Sequence, residues 1–309
     1  MSAPRVSIVM PTRNGMATLP AVLDAISCQR VDFQFEIIAV DSASSDGTAD
    51  LLRSRVDRVI GISDDAFDHG LTRNLGIQQA KGELVVLLVQ DALPASDLWL
   101  AALTAPLFAD QSVAGSFARQ LPRPDASAVT RYYLELSAAS STVARTIAVA
   151  DSAELDGLDP MAQFERCVFD NVCSCIRRSI WTEHRFRPTP IAEDIEWARE
   201  VLLAGYKLAY VPDAEVIHSH DRSPWYEFER TYTLHRRLYE LFRLRTIPTA
   251  PLLVRAIASS LVVHLRRQPP LAIGGSVRAM ALAFAWPLGQ YLGALSALKG
   301  WKRTQSKIV

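Results

Sequence analysis

Cysteine is scarce: four stand in 309 residues, at positions 28, 167, 173 and 175. Cys173 and Cys175 form a C-x-C with no second pair, the wrong spacing for a zinc knuckle. They read as small buried residues in a reducing compartment. The opening stretch MSAPRVSIVMPTRNG has too short an apolar run for a secretory signal and no cleavage-like site, so the catalytic part is expected in the cytoplasm. The stretch PTRNGMATLP holds a single glycine. That argues against the glycine-rich triphosphate cradle with which a sugar-1-phosphate nucleotidyltransferase begins. Acids are nearly missing from one end: residues 225–309 hold 3 Asp and Glu against 13 Lys and Arg, while residues 1–224 hold 30 against 20. A basic tail on an acidic body suggests an anionic partner surface. The tail is rich in Leu and Ala and carries no RNA-binding aromatic signature, which favours a membrane over nucleic acid.

What is present is a large apolar fraction, 49% of the chain, enough for a sizeable core in one large domain or two modest ones. Over the first 120 residues two periodicities alternate. Apolar runs at Val6–Met10, Phe35–Val40, Val56–Ile62, Leu84–Val89 and Val113–Phe117 read as strands. Between them Ala17–Cys28, a short segment after Ser44–Gly47, Leu71–Ala80 and Ala95–Phe108 read as helices. That alternation predicts a mostly parallel sheet covered on both faces, with ligands bound beyond the carboxyl ends of the strands. Those ends carry Pro11-Thr12-Arg13-Asn14, Asp41-Ser42 and Gln90-Asp91.

Further along, 128–145 reads as helical and 169–181 as a strand followed by a turn. Glu193-Asp194 open a helix, where negative charge suits the N-terminus, and Gly205 stops it. A short strand at Leu208–Val211 follows, then Val216-Ile217 leading into His218-Ser219-His220. From Trp225 the pattern is helical. Ala279–Leu298 runs twenty residues without a charge between Arg278 and Lys299, Lys302 and Arg303. It is long enough to span a bilayer, but Pro287, Gly289, Gln290 and many alanines favour a helix lying at an interface or packed on the domain.

Taken in order, VSIVMPTRN, VDSASSDGT, FDHGLTRNLGIQQAKGE, LLVQDALP, AEDIEWAREVLLAGYKLAYVP and VIHSH resemble a family 2 glycosyltransferase of the GT-A fold over roughly residues 5–220. The combination of FxHGxTRNxG (Phe67–Gly76) with QDAxP (Gln90–Pro94) is similar to the bacterial rhamnosyltransferases of that family. The resemblance implies a GT-A domain over 1–224, with a nucleotide-binding half (1–118) and an acceptor half (119–224), followed by a basic helical region (225–309) that associates with membrane. It implies an inverting transferase that moves L-rhamnose from dTDP-rhamnose onto a saccharide or polyprenyl-linked acceptor in cell-surface polysaccharide synthesis. The enzyme would sit at the inner face of the cytoplasmic membrane. A UDP-hexose donor and a non-catalytic nucleotide-sugar binder are the other readings.

The resemblance also assigns roles. A strand-end carboxylate suits Mg²⁺ or Mn²⁺, which would stabilise charge on the departing diphosphate. The family's Asp-x-Asp aligns with Val89-Gln90-Asp91, so the first acid is valine and Asp91 remains as ligand or as a turn residue. His218, with His220 as rival, would complete the metal site. Asp41 would accept from the base N3–H, or else open the turn that follows it. Thr12 would lie beside the base, and Gln90, His69 and Arg73 would contact the donor. Asp194 would be the general base, or with Glu193 would complement the helix dipole. Glu193, Arg119, Gln120, Asn171 and Trp225 are candidates for the acceptor.

Overall fold

The computed structural model describes residues 3–267 and 273–300. The first half of the chain forms β1 (Val6–Thr12), α1 (Leu19–Ser27), β2 (Phe35–Ser42), α2 (Thr48–Arg55), β3 (Arg58–Ile62), α3 (His69–Gln79), β4 (Leu84–Leu88), β5 (Leu93–Pro94), α4 (Trp99–Ala109) and β6 (Val113–Leu121). The second half adds α5 (Ala128–Glu135), β7 (Arg145–Ile147), α6 (Ser152–Asp156), α7 (Pro160–Arg166), β8 (Cys173–Arg177), α8 (Arg178–Glu183), α9 (Glu193–Leu203) and β9 (Lys207–Ile217). Three long helices close the chain: α10 (Pro224–Phe242), α11 (Ala250–Arg267) and α12 (Ile273–Leu298).

One sheet runs in the order β3-β2-β1-β4-β8-β6-β9-β5, with β7 attached to β9. The β3-β2-β1-β4 half is parallel, as the alternation of strands and helices requires. β8 enters antiparallel between β4 and β6, and β9 then runs parallel to β6. The carboxyl ends of β1, β2, β4, β6 and β9 therefore share one rim with the amino end of β8. Apolar residues on successive positions of β1 serve both faces. Val6, Ile8 and Met10 join a core with Leu23, Trp99 and Leu103, while Val9 joins a second core with Ile77, Trp197 and Val201.

Several boundaries differ from the sequence reading. Helix α3 starts two residues early, because Asp68 caps it by accepting from the Gly70 and Leu71 amides at 2.9 Å. Helix α4 starts four residues late, because Leu93-Pro94 pairs with Ile217 and Val216 of β9 and Ala95 donates to the Glu215 carbonyl. The helix expected over 128–145 stops at Glu135, and its last residue belongs to β7. The turn expected after 173–177 is helix α8. The short strand at Leu208–Val211 is the first part of an eleven-residue strand that begins at Lys207 and reaches Ile217. β6 supports its far end as well as its near end, across an irregularity at Ala118/Arg119.

The uncharged stretch within α12 packs along α10. A side-chain carbon at Gly289 would stand 2.8 Å from Thr231 Cβ, and one at Gly293 would run into the Tyr232 carbonyl. Small residues here bring the two helix backbones together. The opposite face of α12 exposes Val277, Met280 and Phe284. α11 packs on α12 and exposes Val254, Val262 and Leu265 beside Arg255, Arg266 and Arg267. By length and composition Val277–Leu298 could cross a membrane, with a mean hydropathy of 1.2 over its apolar window.

Candidate active site

The rim begins with two loops tied to each other. After β1, the Asn14 amide donates to Ser44 Oγ and Asn14 Oδ1 accepts from the Ser45 amide, both at 2.9 Å. Gly15 donates to Thr48 Oγ1, and Met16 to Asp46. Asp46 also accepts from the Thr48 amide and hydroxyl, which holds its carboxyl below its usual range. Asn14 and Ala43 both adopt positive φ, 46° and 52°, so the two turns at this edge are held against backbone preference by these bonds. Thr12 and Asp41 face each other across the β1–β2 register, with Thr12 Oγ1 donating to Asp41 at 3.1 Å. Asp41 also accepts from the Ser44 hydroxyl and amide. It does open the turn, and both its oxygens stand at the edge of the rim.

Gln90 does something other than what the sequence suggested. Its Oε1 accepts from the Arg13 amide at 2.8 Å and its Nε2 donates to the Arg13 carbonyl at 2.9 Å. Both ends of the amide are used on the loop after β1, so Gln90 fixes that loop rather than offering a free group. Arg73 also departs from expectation. It is buried, pairs with Glu193 at 3.0 Å and donates to the backbone carbonyls of His69 and Asn171. A buried guanidinium this close to a carboxylate is committed to it, so Arg73 links α3 to α9 instead of reaching outward. His69 packs edge-on to Phe67 at 5.0 Å, close enough to the same Glu193 to help lower it.

Asp91, His218 and His220 converge. His220 Nε2 lies 3.2 Å and His218 Nε2 3.7 Å from the Asp91 carboxylate, and one atom from each residue falls within 4.8 Å of the other two. The β5–β9 pairing produces this proximity: Leu93 is registered against Ile217, the residue before His218. His218 Nδ1 meets Gln120 Oε1 at 3.0 Å, and the Gln120 amide nitrogen donates to Asp170. The amide orientation follows from that donation. His218 therefore carries its proton on Nδ1 and turns the Nε2 lone pair toward Asp91. Burial pushes His218 down to about 4, with the Asp91 charge opposing and His220 adding to the fall. His220 is lowered for the same first reason. A lone pair facing a carboxylate across 3.7 Å is a pair of acceptors without a donor. One carboxylate and one or two neutral imidazoles with their lone pairs inward form a donor set that fits a divalent cation, and Gln120 and Asp170 supply the outer support such ligands use.

Next to this cluster lie three carboxylates, of Asp170, Glu193 and Asp194. Asp170 precedes β8 and accepts from the Val172 amide at 2.8 Å. The Asn171 amide donates to Asp194 at 3.2 Å, and the Asn171 side chain donates to Glu193 at 3.3 Å. Burial would raise Glu193, but the Arg73 guanidinium outweighs it and the group is held below its ordinary value. Asp194 goes the other way: burial, then the negative charges of Glu193 and Asp170, push it well up. Two adjacent acids at the start of one helix are thus driven apart in proton affinity. Asp170 is raised too, chiefly by burial. Its place was visible in the FDN triplet immediately before a strand, but a single acid in an unreadable loop gave no pattern to act on.

The other acceptor candidates separate. Gln120 and Asn171 belong to the cluster. Arg119, the neighbour of Gln120, turns away to Glu215 at 2.8 Å and to the Ser140 carbonyl. Trp225 is 66% exposed on the first turn of α10, against Phe228.

The sequence pattern described as "Glycosyl transferase family 2" matches residues 7–134. The chain is 31% identical to the O-antigen chain rhamnosyltransferase RfbN of Salmonella typhimurium over 74% of its length and 70% of that protein's. It is 30% identical to WbaN of Salmonella anatum over the same shares. Among solved structures it superposes on a mannosyltransferase of Pyrobaculum calidifontis, crystallised with GDP-Man and Mn²⁺, with a TM-score of 0.60 at 19% identity. That match covers 98% of this chain and 89% of the other. It also superposes on a mannosyl-3-phosphoglycerate synthase of Rubrobacter xylanophilus, with a TM-score of 0.55 at 20% identity, covering 80% and 78%. With the sheet, the rim and these relatives together, the chain belongs to glycosyl transferase family 2 and is a glycosyltransferase of the GT-A fold.

Proposed function

We propose that this enzyme transfers L-rhamnose from dTDP-rhamnose, with inversion, to a saccharide acceptor carried on a lipid in the building of cell-surface polysaccharide. The two relatives whose names give O-antigen rhamnosyl transfer support the sugar and the pathway class. The single observation that carries the chemistry is the closure of Asp91, His218 and His220 beside a carboxylate whose proton affinity is raised.

The geometry supports the following roles. Thr12 and Asp41 sit where a pyrimidine base would meet strand ends, and a carboxylate oxygen accepts from the base N3–H. Asp91 and His218, with His220, would hold a divalent cation, and this donor set suits Mn²⁺ better than Mg²⁺. A cation held there neutralises the charge that builds on the departing diphosphate. Asp194 takes the proton of the acceptor hydroxyl as its oxygen bonds to the anomeric carbon, while the bond from that carbon to the diphosphate oxygen breaks and dTDP leaves. The Asn171 backbone amide holds Asp194 in place while its side chain donates to Glu193, and Arg73 keeps Glu193 ionised. The exposed apolar and arginine-bearing faces of α11 and α12 suit an anionic bilayer surface, which supports a seat at the cytoplasmic leaflet.

The test is donor hydrolysis and transfer measured with dTDP-rhamnose and with a panel of UDP-hexoses, each with Mn²⁺, Mg²⁺ and chelator. Turnover of dTDP-rhamnose above every UDP-sugar, lost in chelator, is the expected result. Preference for a UDP-hexose would change the donor. Donor binding without any turnover would make the chain a nucleotide-sugar binder.

A further inference from the structure

At His220 a cleft of about 220 Å³ opens between α5, the segment after β9, α10 and α12. His220 forms its inner wall, so it communicates with the Asp91 cluster. Its outer wall is a stripe of α12 in which Arg278, Leu282 and Trp286 recur every fourth residue.

Trp286 is fixed on three sides. Its indole N–H donates to Glu227 at 2.9 Å. Tyr133 packs edge-on against it at 4.4 Å, and the buried ring of His264 lies 5.6 Å away. A ring held this way presents one orientation to the cleft without further ordering on binding. Arg278 donates to the backbone carbonyls of Asp221 and Arg222 at 3.1 and 3.0 Å, so α12 also secures the segment that follows His220. Asp221 in turn accepts from Ser127 and Thr130, which closes the opposite wall.

The lining decides the ligand class. Two guanidiniums, Arg222 and Arg278, are balanced by two carboxylates, Asp221 and Glu227, so the cleft has no excess positive charge with which to hold a phosphate. What it offers is an aromatic face, the aliphatic surfaces of Val129 and Leu282, and hydroxyl and carboxylate oxygens around them. That combination suits a ring with one apolar face and a rim of hydroxyls. On the outer face of the same helix, Val277, Met280 and Phe284 are exposed, so a ligand lying along α12 would run from the reaction centre toward an apolar surface.

We propose that this cleft seats the saccharide unit of the acceptor that trails behind the reacting sugar, with Trp286 as its stacking platform. The inference rests on the transferase reading above and adds the acceptor's path to it. It assigns a binding role to the helical C-terminal region, outside the residues matched by the family pattern.

The test compares Trp286→Ala, which removes the platform, and Leu282→Trp, which fills the cleft, with the unchanged enzyme. Donor hydrolysis without acceptor, which uses the rim and not the cleft, reports that each variant is folded. Transfer of labelled sugar into the lipid fraction of membranes from the source organism reports acceptor use. Both variants should hydrolyse donor within about twofold of the unchanged enzyme and lose roughly tenfold or more in transfer at limiting acceptor, as expected when a buried aromatic anchor is lost. Trp286→Phe, which keeps a ring, should recover part of the transfer. Full transfer by Leu282→Trp with hydrolysis intact would overturn the cleft assignment alone. An unchanged enzyme that neither hydrolyses nor transfers would overturn the functional reading, and the cleft assignment with it.

Discussion

The guanidinium of Arg73 and the carboxylate of Glu193 meet at 3.0 Å, each side chain only 6% exposed. Removing one member leaves the other charged and buried without its partner. Arg73→Ala should therefore destabilise the fold by about 3–5 kcal/mol, read by urea denaturation, while a double change to apolar residues of similar volume should cost much less. A single variant as stable as the parent would show that the pair is not closed in solution.

Asp194 has the opposite character. Its proton is held more tightly in the folded chain than in the unfolded one, so its favourable contribution is complete below the unfolded carboxylate range and is lost as pH rises through its raised value. Asp194→Asn should then stabilise the protein at pH 7 by about 1 kcal/mol or more while lowering transfer by about 10²–10⁴-fold. Equal loss of stability and activity would deny the base its role.

The same charges set the acid limb of the pH–rate profile. Asp194 must be ionised to accept a proton, so activity should rise with pH through a limb above the ordinary carboxylate range. Asp170→Asn removes one of the negative charges that raise Asp194, and the limb should move to lower pH. A limb that stays put would place the titrating group elsewhere.

Cation binding is expected to depend on Gln120 as well as on the ligands themselves, because Gln120 sets the His218 tautomer. Gln120→Leu should weaken Mn²⁺ binding by about 10–100-fold, measured by calorimetry, and Asp91→Asn should weaken it further. Saturating Mn²⁺ should raise the melting temperature of the parent and not that of Asp91→Asn.

The close approach of α10 and α12 gives a stability test remote from chemistry. Gly293→Ala puts a methyl against the Tyr232 carbonyl and should destabilise by about 1–3 kcal/mol. Phe284→Glu and Val262→Glu lie on the outward faces and should leave stability unchanged while reducing co-sedimentation with phosphatidylglycerol-containing vesicles.

The parallel half of the sheet could be read from the sequence because β1, β2 and β4 are buried on both faces and its helices are short and periodic. Asp41, Asp91 and His218 stand out in the sequence because each follows an apolar run that stops abruptly, and Asp194 because it is one of a pair of acids opening a helix. Arg73 and Gln90 could not be assigned correctly, since what they do depends on Glu193 and on the Arg13 backbone, 120 and 77 positions away. Helix α4 was placed too early because a two-residue strand has no periodicity to detect. Asp170 and the Trp286 cleft stayed hidden for a related reason: both are made by contacts between segments whose local patterns say only loop or helix.

The short β5–β9 bridge has a consequence for how this active centre can vary. It clips the residues just after Asp91 to those just before His218 through main-chain bonds, so their spacing is inherited from strand alignment and not from any side chain between them. Valine at 89 packs against the core. Substitution at 89 therefore leaves that alignment alone, whereas a residue inserted between Asp91 and Leu93 would carry Asp91 away from His218.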